Sequence, residues 1–325
     1  MQFERPLLRL PIRFSAEDIE KEVRALPASR WVPHPNQIPG NDAVRLVTPE
    51  GRDTDDLDGR MAPTPELLAC PNIIRIMGQL GATWGRSRLM GLAAGAQVPP
   101  HVDSAYYWRT HLRIHIPVIT NPGVMFTCGG ESVHMAPGEC WIFDSFQPHE
   151  VHNRGDQHRV HLVLDTVGGG RLWDLIEAAS AKTPLVPATV APGGGDVGDL
   201  SFEKVNSPKV MSPWEMRAHV EYLLQRTKPH PSLKRVSGRL ERLTFDWGGL
   251  WACYGDSDEG IPRFRALLAD AGSDLNVIGG SPISLDNGLA LYHVLGRMVL
   301  SVAVAPDWSP PQTSDDLAAA GSIAS

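Results

Sequence analysis

Cysteine is scarce in this 325-residue chain: Cys70, Cys128, Cys140 and Cys253 are all there is, with no Cys-x-x-Cys pair. That excludes a disulfide-stapled scaffold and a cysteine zinc site. A large charge excess is also missing. At a net charge of −7, the chain offers no electrostatic footprint for nucleic acid or an anionic membrane. No apolar run suits a signal peptide, because Arg9 and Arg13 interrupt the first one. The longest, Leu289 to Ala305, is broken by His293, Gly296 and Arg297, so a buried helix is expected there and not a membrane span. No lipidation signal is present, and a cytoplasmic location is expected. The glycine runs Gly168–Gly170 and Gly193–Gly195 lack any phosphate-loop or dinucleotide context, and no Gly-x-Ser-x-Gly elbow occurs.

What is present is an ordinary globular composition, 42% hydrophobic and 21% charged. The length allows one large domain or two smaller ones. The first eighty residues read as helical pieces with loops. Ser15 with Asp18 and Thr64-Pro65-Glu66 mark helix starts, and residues 31–61 form a long loop region. From Arg86 to Val167, short β-forming runs alternate with turns such as Asn121-Pro122-Gly123 and Pro137-Gly138. This pattern predicts a mainly β jelly roll with flanking helices. Residues 183–200 read as a Pro/Gly-rich linker between a first domain, 1–182, and a helical C-terminal domain, 201–305. Helices are expected over Ser212–Gln225, Ser232–Leu243, Ile261–Ala271 and Asn287–Val304, followed by a loosely held tail, 306–325.

Histidine locates the chemistry. Of twelve, eight lie between His101 and His161. His101-Val102-Asp103 places an imidazole and a carboxylate on one side of an extended backbone, where both can bind one ion. His149, following the strand-like Cys140–Phe143, is the best third ligand. Two histidines and a carboxylate leave positions open for substrate and dioxygen, as non-haem iron oxygenases require. Ten residues on, Arg159 opens a strand whose alternation puts Arg159, His161 and Val163 on one face. A buried arginine there calls for an acidic partner, and a dicarboxylate co-substrate supplies one through a bidentate pair. Asp144 and Ser145 suit either a turn or a place beside the metal. Tyr106, Tyr107 and Trp108 suit either packing or a substrate mouth.

Residues 86–166 resemble the catalytic domain of the aspartyl/asparaginyl β-hydroxylase family of Fe(II)/2-oxoglutarate-dependent dioxygenases. The resemblance lies in Pro100-His101, in Arg109-Thr110-His111-Leu112 leading to Ile116-Pro117, and in Gly138–Asp144. It continues through Phe146–Val151 and Arg159 before Leu164-Asp165. It implies a double-stranded β-helix in which His101, Asp103 and His149 hold Fe(II) and Arg159 grips the distal carboxylate of 2-oxoglutarate. It also implies that Arg109 and His111 contact that co-substrate. Dioxygen is the co-reactant, ascorbate a candidate reductant, and 2-oxoglutarate leaves as succinate. Asp103 departs from the animal enzymes that hydroxylate protein domains, which lack this carboxylate, so a complete triad is implied and halogenation is disfavoured.

The expected activity is hydroxylation of an unactivated C–H in a small polar molecule, such as an amino acid or peptide-derived metabolite. Hydroxylation of a side chain in a partner protein is the alternative within the class. A non-catalytic metal-binding jelly roll is the alternative outside it. A homodimer through the C-terminal helices is a further expectation.

Overall fold

Alternation of apolar and polar residues begins earlier than the sequence reading allowed. Leu8, Leu10 and Ile12 are buried while Arg9 and Arg13 are exposed, and together they form the first strand. The arginines that interrupt the apolar run are its outward positions. The computed structural model describes residues 5–35, 37–181, 187–191, 193–279 and 282–305. Two units are present. Among the described residues, the first comprises those up to Asp103 together with Thr110–Asn206; the second comprises Ser104–Arg109 and those from Ser207 to Ala305.

In chain order the first unit carries β1 (Leu7–Arg13), α1 (Ala16–Ala25), β2 (Val32–Pro33), β3 (Asn41–Pro49) and β4 (Met61–Pro63). Next come α2 (Pro65–Leu68), α3 (Pro71–Leu80), β5 (Thr83–Leu92) and β6 (Gln97–His101). A short helix, α4 (Tyr106–Thr110), whose residues up to Arg109 belong to the second unit, precedes β7 (Leu112–Ile119), β8 (Val124–Cys128), β9 (Glu131–Val133) and β10 (Glu139–Phe143). The unit closes with β11 (His149–Asn153), β12 (Arg159–Gly168), α5 (Gly170–Ser180), β13 (Ala188–Thr189) and β14 (Ser201–Phe202). One sheet runs β13-β1-β10-β7-β12-β5-β3-β2, and a four-stranded sheet runs β6-β11-β8-β9. Strands β5 to β12 thus pass back and forth between two sheets, in orders 10-7-12-5 and 6-11-8-9, which is the double-stranded β-helix expected from the sequence.

The larger sheet has two different faces. On β7 and β12, Ile114, Ile116, Val160, Leu162 and Leu164 join a core with Ile19 of α1, Ile73 and Met77 of α3, and Leu172 of α5. The opposite positions, Arg113, His115, Arg159, His161 and Asp165, are buried polar or charged groups, Arg113 being half-buried. A smaller cluster of Leu92, Phe126, Phe143 and Val151 lies between the sheets. In β5 the register against β12 advances from Trp84 to Ser87 while β12 advances only from Thr166 to Leu164. The extra residue is a bulge. It lets Trp84 join the helix-side core while Arg88 lines the cavity between the sheets.

Several expectations need correction. The loop region expected over 31–61 contains β3, a nine-residue strand with seven buried positions. Its Asn, Asp and Pro residues mark the strand's ends and do not exclude a strand between them. The described part of the expected linker is built into the first unit, where β13 pairs with β1, and β14, expected in the helical domain, pairs with β5. The division falls at Asn206/Ser207.

The second unit carries α6 (Pro213–Gln225), α7 (Leu233–Tyr254), α8 (Ile261–Gly279) and α9 (Leu291–Leu295), the last continuing into a π-helical stretch over Gly296–Leu300. Ser212 accepts from the Glu215 amide, as its capping sequence predicts. The final helix starts later than Asn287 because the Asn287 side chain accepts from Leu289 N–H, and Gly288 has φ +88°. Trp247 and Phe264 pack at 4.5 Å, and the Trp247 indole donates to the Met211 carbonyl. The tail, 306–325, lies outside the described residues. Among the described residues, no helix is long and apolar enough to cross a membrane.

Gly138 tests how tightly the barrel end is fitted. Its φ is +76°, and a Cβ there would lie 2.0 Å from the Phe14 carbonyl oxygen. Gly130 has φ +84° but open space around it. Gly130→Ala is expected to cost about 1–2 kcal/mol for its left-handed backbone. Gly138→Ala should cost clearly more, because the Phe14 backbone must also move. Equal urea midpoints for the two variants would contradict this account.

Candidate active site

The antiparallel pair β6–β11 sets His101 directly opposite His149. Between His101 and Val98, β6 spends three residues where β11 spends two, and the extra residue falls at Pro99-Pro100. Prolines have no N–H to contribute to a ladder and fit such a bulge. The two imidazole centroids lie 4.1 Å apart. Each Nδ1 meets a backbone carbonyl two residues earlier, His101 with Pro99 and His149 with Gln147, both at 2.9 Å. Donation from Nδ1 leaves Nε2 as the metal-facing nitrogen and fixes the ring.

Asp103 follows β6, held by its N–H donating to the Ser145 carbonyl at 3.0 Å. Its Oδ2 lies 3.9 Å from His149 Nε2 and is buried without a hydrogen-bond partner. Ligand atoms of all three residues lie within 4.8 Å of one another. Burial, with His101 nearby, pushes the His149 imidazolium down to about 4, so the ring is neutral at neutral pH, as metal binding requires. Two imidazoles and a carboxylate with an orphaned oxygen fit a divalent first-row ion with open coordination positions.

A cavity of about 100 Å³ opens beside these ligands, and Arg88, Arg113, His115 and Arg159 contribute to its wall. Arg159 is 4% exposed, its Nε has no hydrogen-bond partner, and its Nη1 reaches only the Met90 carbonyl at 3.5 Å. Burial lowers it to about 9, which leaves it charged at neutral pH. Arg88 is also buried, with Nη1 unpartnered; burial and then the charges of Arg86 and Arg113 push it well below the usual arginine range. Arg113 is matched instead. It forks onto Asp165 through Nε–Oδ1 at 2.8 Å and Nη2–Oδ2 at 3.0 Å. Burial opposes ionisation of Asp165, but Arg113 and Arg86 outweigh it and hold the carboxyl below its ordinary value.

The sequence reading placed six residues at this site. His101, Asp103 and His149 converge, and Arg159 lines the cavity that His101 and His149 also line. His111 does not line it; its Nε2 lies 3.0 Å from Glu203 Oε2 and its Nδ1 3.0 Å from Thr110 Oγ1. Arg109 belongs to the second unit, with its guanidinium 4.1 Å from the Tyr222 ring centroid. Arg113 and His115 were missed, although Arg113-Ile114-His115 repeats the spacing of Arg109-Thr110-His111 four residues on. The usable signal was that Ile114 and Ile116 claim the helix side of the strand, which turns Arg113 and His115 to the other side. Arg88 was missed because the bulge in β5 is not legible locally.

Other residues resolve more plainly. Asp144 Oδ1 accepts from Phe146 N–H, the hydrogen bond of a turn. That turn separates β10 from His149, which opens the next strand and does not end the previous one. Tyr106 donates to Glu215, and Tyr107 packs edge-on to Trp108. His152 and His158 lie against Glu150 and Asp42.

Residues 43–168 match the family model described as Aspartyl/Asparaginyl beta-hydroxylase. An L-proline cis-4-hydroxylase from Rhizobium meliloti (strain 1021) is 30% identical over 79 residues, which is 24% of this chain and 28% of that protein. The chain therefore matches little more than a quarter of that relative's length. Among solved structures, a Pseudomonas putida prolyl-4-hydroxylase aligns at 16% identity over 50% of this chain and 92% of its own, with a TM-score of 0.36. A 2OG-Fe(II) oxygenase family oxidoreductase from Burkholderia pseudomallei aligns at 15% identity over 48% and 80%, also at 0.36. The matched span, residues 43–168, holds His101, Asp103, His149 and Arg159.

Proposed function

We propose that the protein is an Fe(II)/2-oxoglutarate-dependent hydroxylase acting on a small substrate that carries a carboxylate, such as an amino acid. The observation that carries this reading is Arg159: a buried guanidinium with an orphaned Nε, in a cavity it shares with His101 and His149 of the His-Asp-His set. A non-catalytic metal module needs the ligands but has no use for an unpaired cation beside them. When bound, iron and 2-oxoglutarate supply the oxidising chemistry, with loss of CO₂, formation of succinate and insertion of one oxygen of O₂ into a C–H bond.

The chain's own residues bind and orient. His101, Asp103 and His149 take one side of the ion and leave the rest open. Arg159 receives the distal carboxylate of the co-substrate through charge-assisted hydrogen bonds. His115 is kept neutral first by burial and then by Arg159, so it stands beside that carboxylate as a neutral group and not as a second cation. Arg88 remains as a second buried cation with an unpartnered nitrogen. It calls for a second anion, and the substrate's carboxylate meets that need. The cavity of about 100 Å³ favours a small molecule over a folded protein surface, and the name of the L-proline hydroxylase relative agrees with an amino-acid substrate.

Purified protein with Fe(II), 2-oxoglutarate and ascorbate should release succinate, and the correct substrate should raise the rate and gain one oxygen in mass. His101→Ala and His149→Ala should abolish iron binding; normal succinate yield from His149→Ala sinks the ligand assignment.

The two arginines should separate kinetically. Arg159→Ala is expected to raise the KM for 2-oxoglutarate by about 10- to 100-fold with little change in metal affinity. Arg88→Met should raise the substrate KM by a similar factor and leave 2-oxoglutarate binding intact, and a carboxamide analogue should be a poor substrate of the native protein. A variant pair that shifts both constants together speaks against this division.

A further inference from the structure

We propose that Asp165 is a positioning residue that holds Arg113 away from Asp103 and so keeps the Asp103 carboxylate available to the metal. The inference rests on the ligand set read above. Strands β7 and β12 pair with Arg113 directly opposite Asp165. Arg113 spends Nε and Nη2 on the two oxygens of Asp165, at 2.8 and 3.0 Å. Its remaining nitrogen, Nη1, lies 3.6 Å from Asp103 Oδ2, a loose ion pair beyond a proper hydrogen bond. That oxygen is the one lying 3.9 Å from His149 Nε2, and it is buried without a hydrogen-bond partner.

Asp103 Oδ2 therefore faces two claimants, a metal ion and a guanidinium. A small rotation of Arg113 would close a charge-assisted pair with Asp103. The metal would then have to displace a cation before it could bind, and affinity would fall. Asp165 prevents this by occupying the fork from the far side. It is 1% exposed, and Arg86 approaches the same carboxylate only at 3.9 Å, so Arg113 is its hydrogen-bonded arginine. Arg159 and Asp165 lie six residues apart on β12, so one strand carries both the cation proposed for the co-substrate and the carboxylate that restrains Arg113.

The test is metal affinity, read without turnover. The full-length apoprotein is titrated with Co(II) and followed by visible absorption, with far-UV circular dichroism confirming that each variant is folded. Asp165→Asn should weaken Co(II) binding by about 10- to 100-fold, the usual effect of losing a partner behind the ligands. Arg113→Met should bind Co(II) as tightly as the native chain or tighter. The double variant Asp165→Asn/Arg113→Met should recover the native affinity, because no cation is left to claim Asp103. A merely structural Asp165 gives no such recovery, since the double variant would bind as weakly as Asp165→Asn. That result overturns the proposal, as does unchanged affinity in Asp165→Asn or weakened affinity in Arg113→Met. If His149→Ala binds Co(II) as the native chain does, the ligand set itself fails; the other outcomes overturn only the role of Asp165.

Discussion

Unbalanced positive charge inside a β-barrel is the constraint around which this site is arranged. A buried ion without a counter-ion costs several kcal/mol even after relaxation. Yet three guanidinium groups, Arg88, Arg113 and Arg159, line one cavity. Arg113 is matched by Asp165, while one nitrogen each of Arg88 and Arg159 has no partner among the described residues. Such an arrangement favours anions in the cavity, and the co-substrate proposed above would supply one. His101 and His149 line the same cavity, so any ion they hold would share it with these guanidinium groups.

The same sheet must also hold the unit together, and it does so with its other face. Ile114, Ile116, Leu162 and Leu164 pack beneath helices α1, α3 and α5, in a core larger than the one between the sheets. Stability and chemistry are thereby assigned to opposite sides of the same strands. The alternation of β7 and β12 is what makes that division possible, since each step along the strand changes side.

Much of this was legible in the residues themselves. The His101-Val102-Asp103 pair and the alternation after Arg159 are local patterns, and the turn-punctuated strands announce the jelly roll. What escaped depends on pairing between distant segments. His111 looked like a co-substrate residue until Glu203, 92 residues away in sequence, proved to be its partner. Arg88 faces the cavity because of one extra residue in β5, visible only against the register of β12. β1 and β3 were hidden by charged and turn-forming residues that mark outward positions and ends.

Pro99 and Pro100 shape more than the approach of two imidazoles. They are exposed, and β6 is the outer strand of the four-stranded sheet. At these two positions the edge has no N–H with which to accept another chain. Those two positions offer a peptide, or a second copy of the protein, no donor for extending the sheet. Recognition at this rim is left to side chains, so whatever docks there is read through its functional groups and not through its backbone.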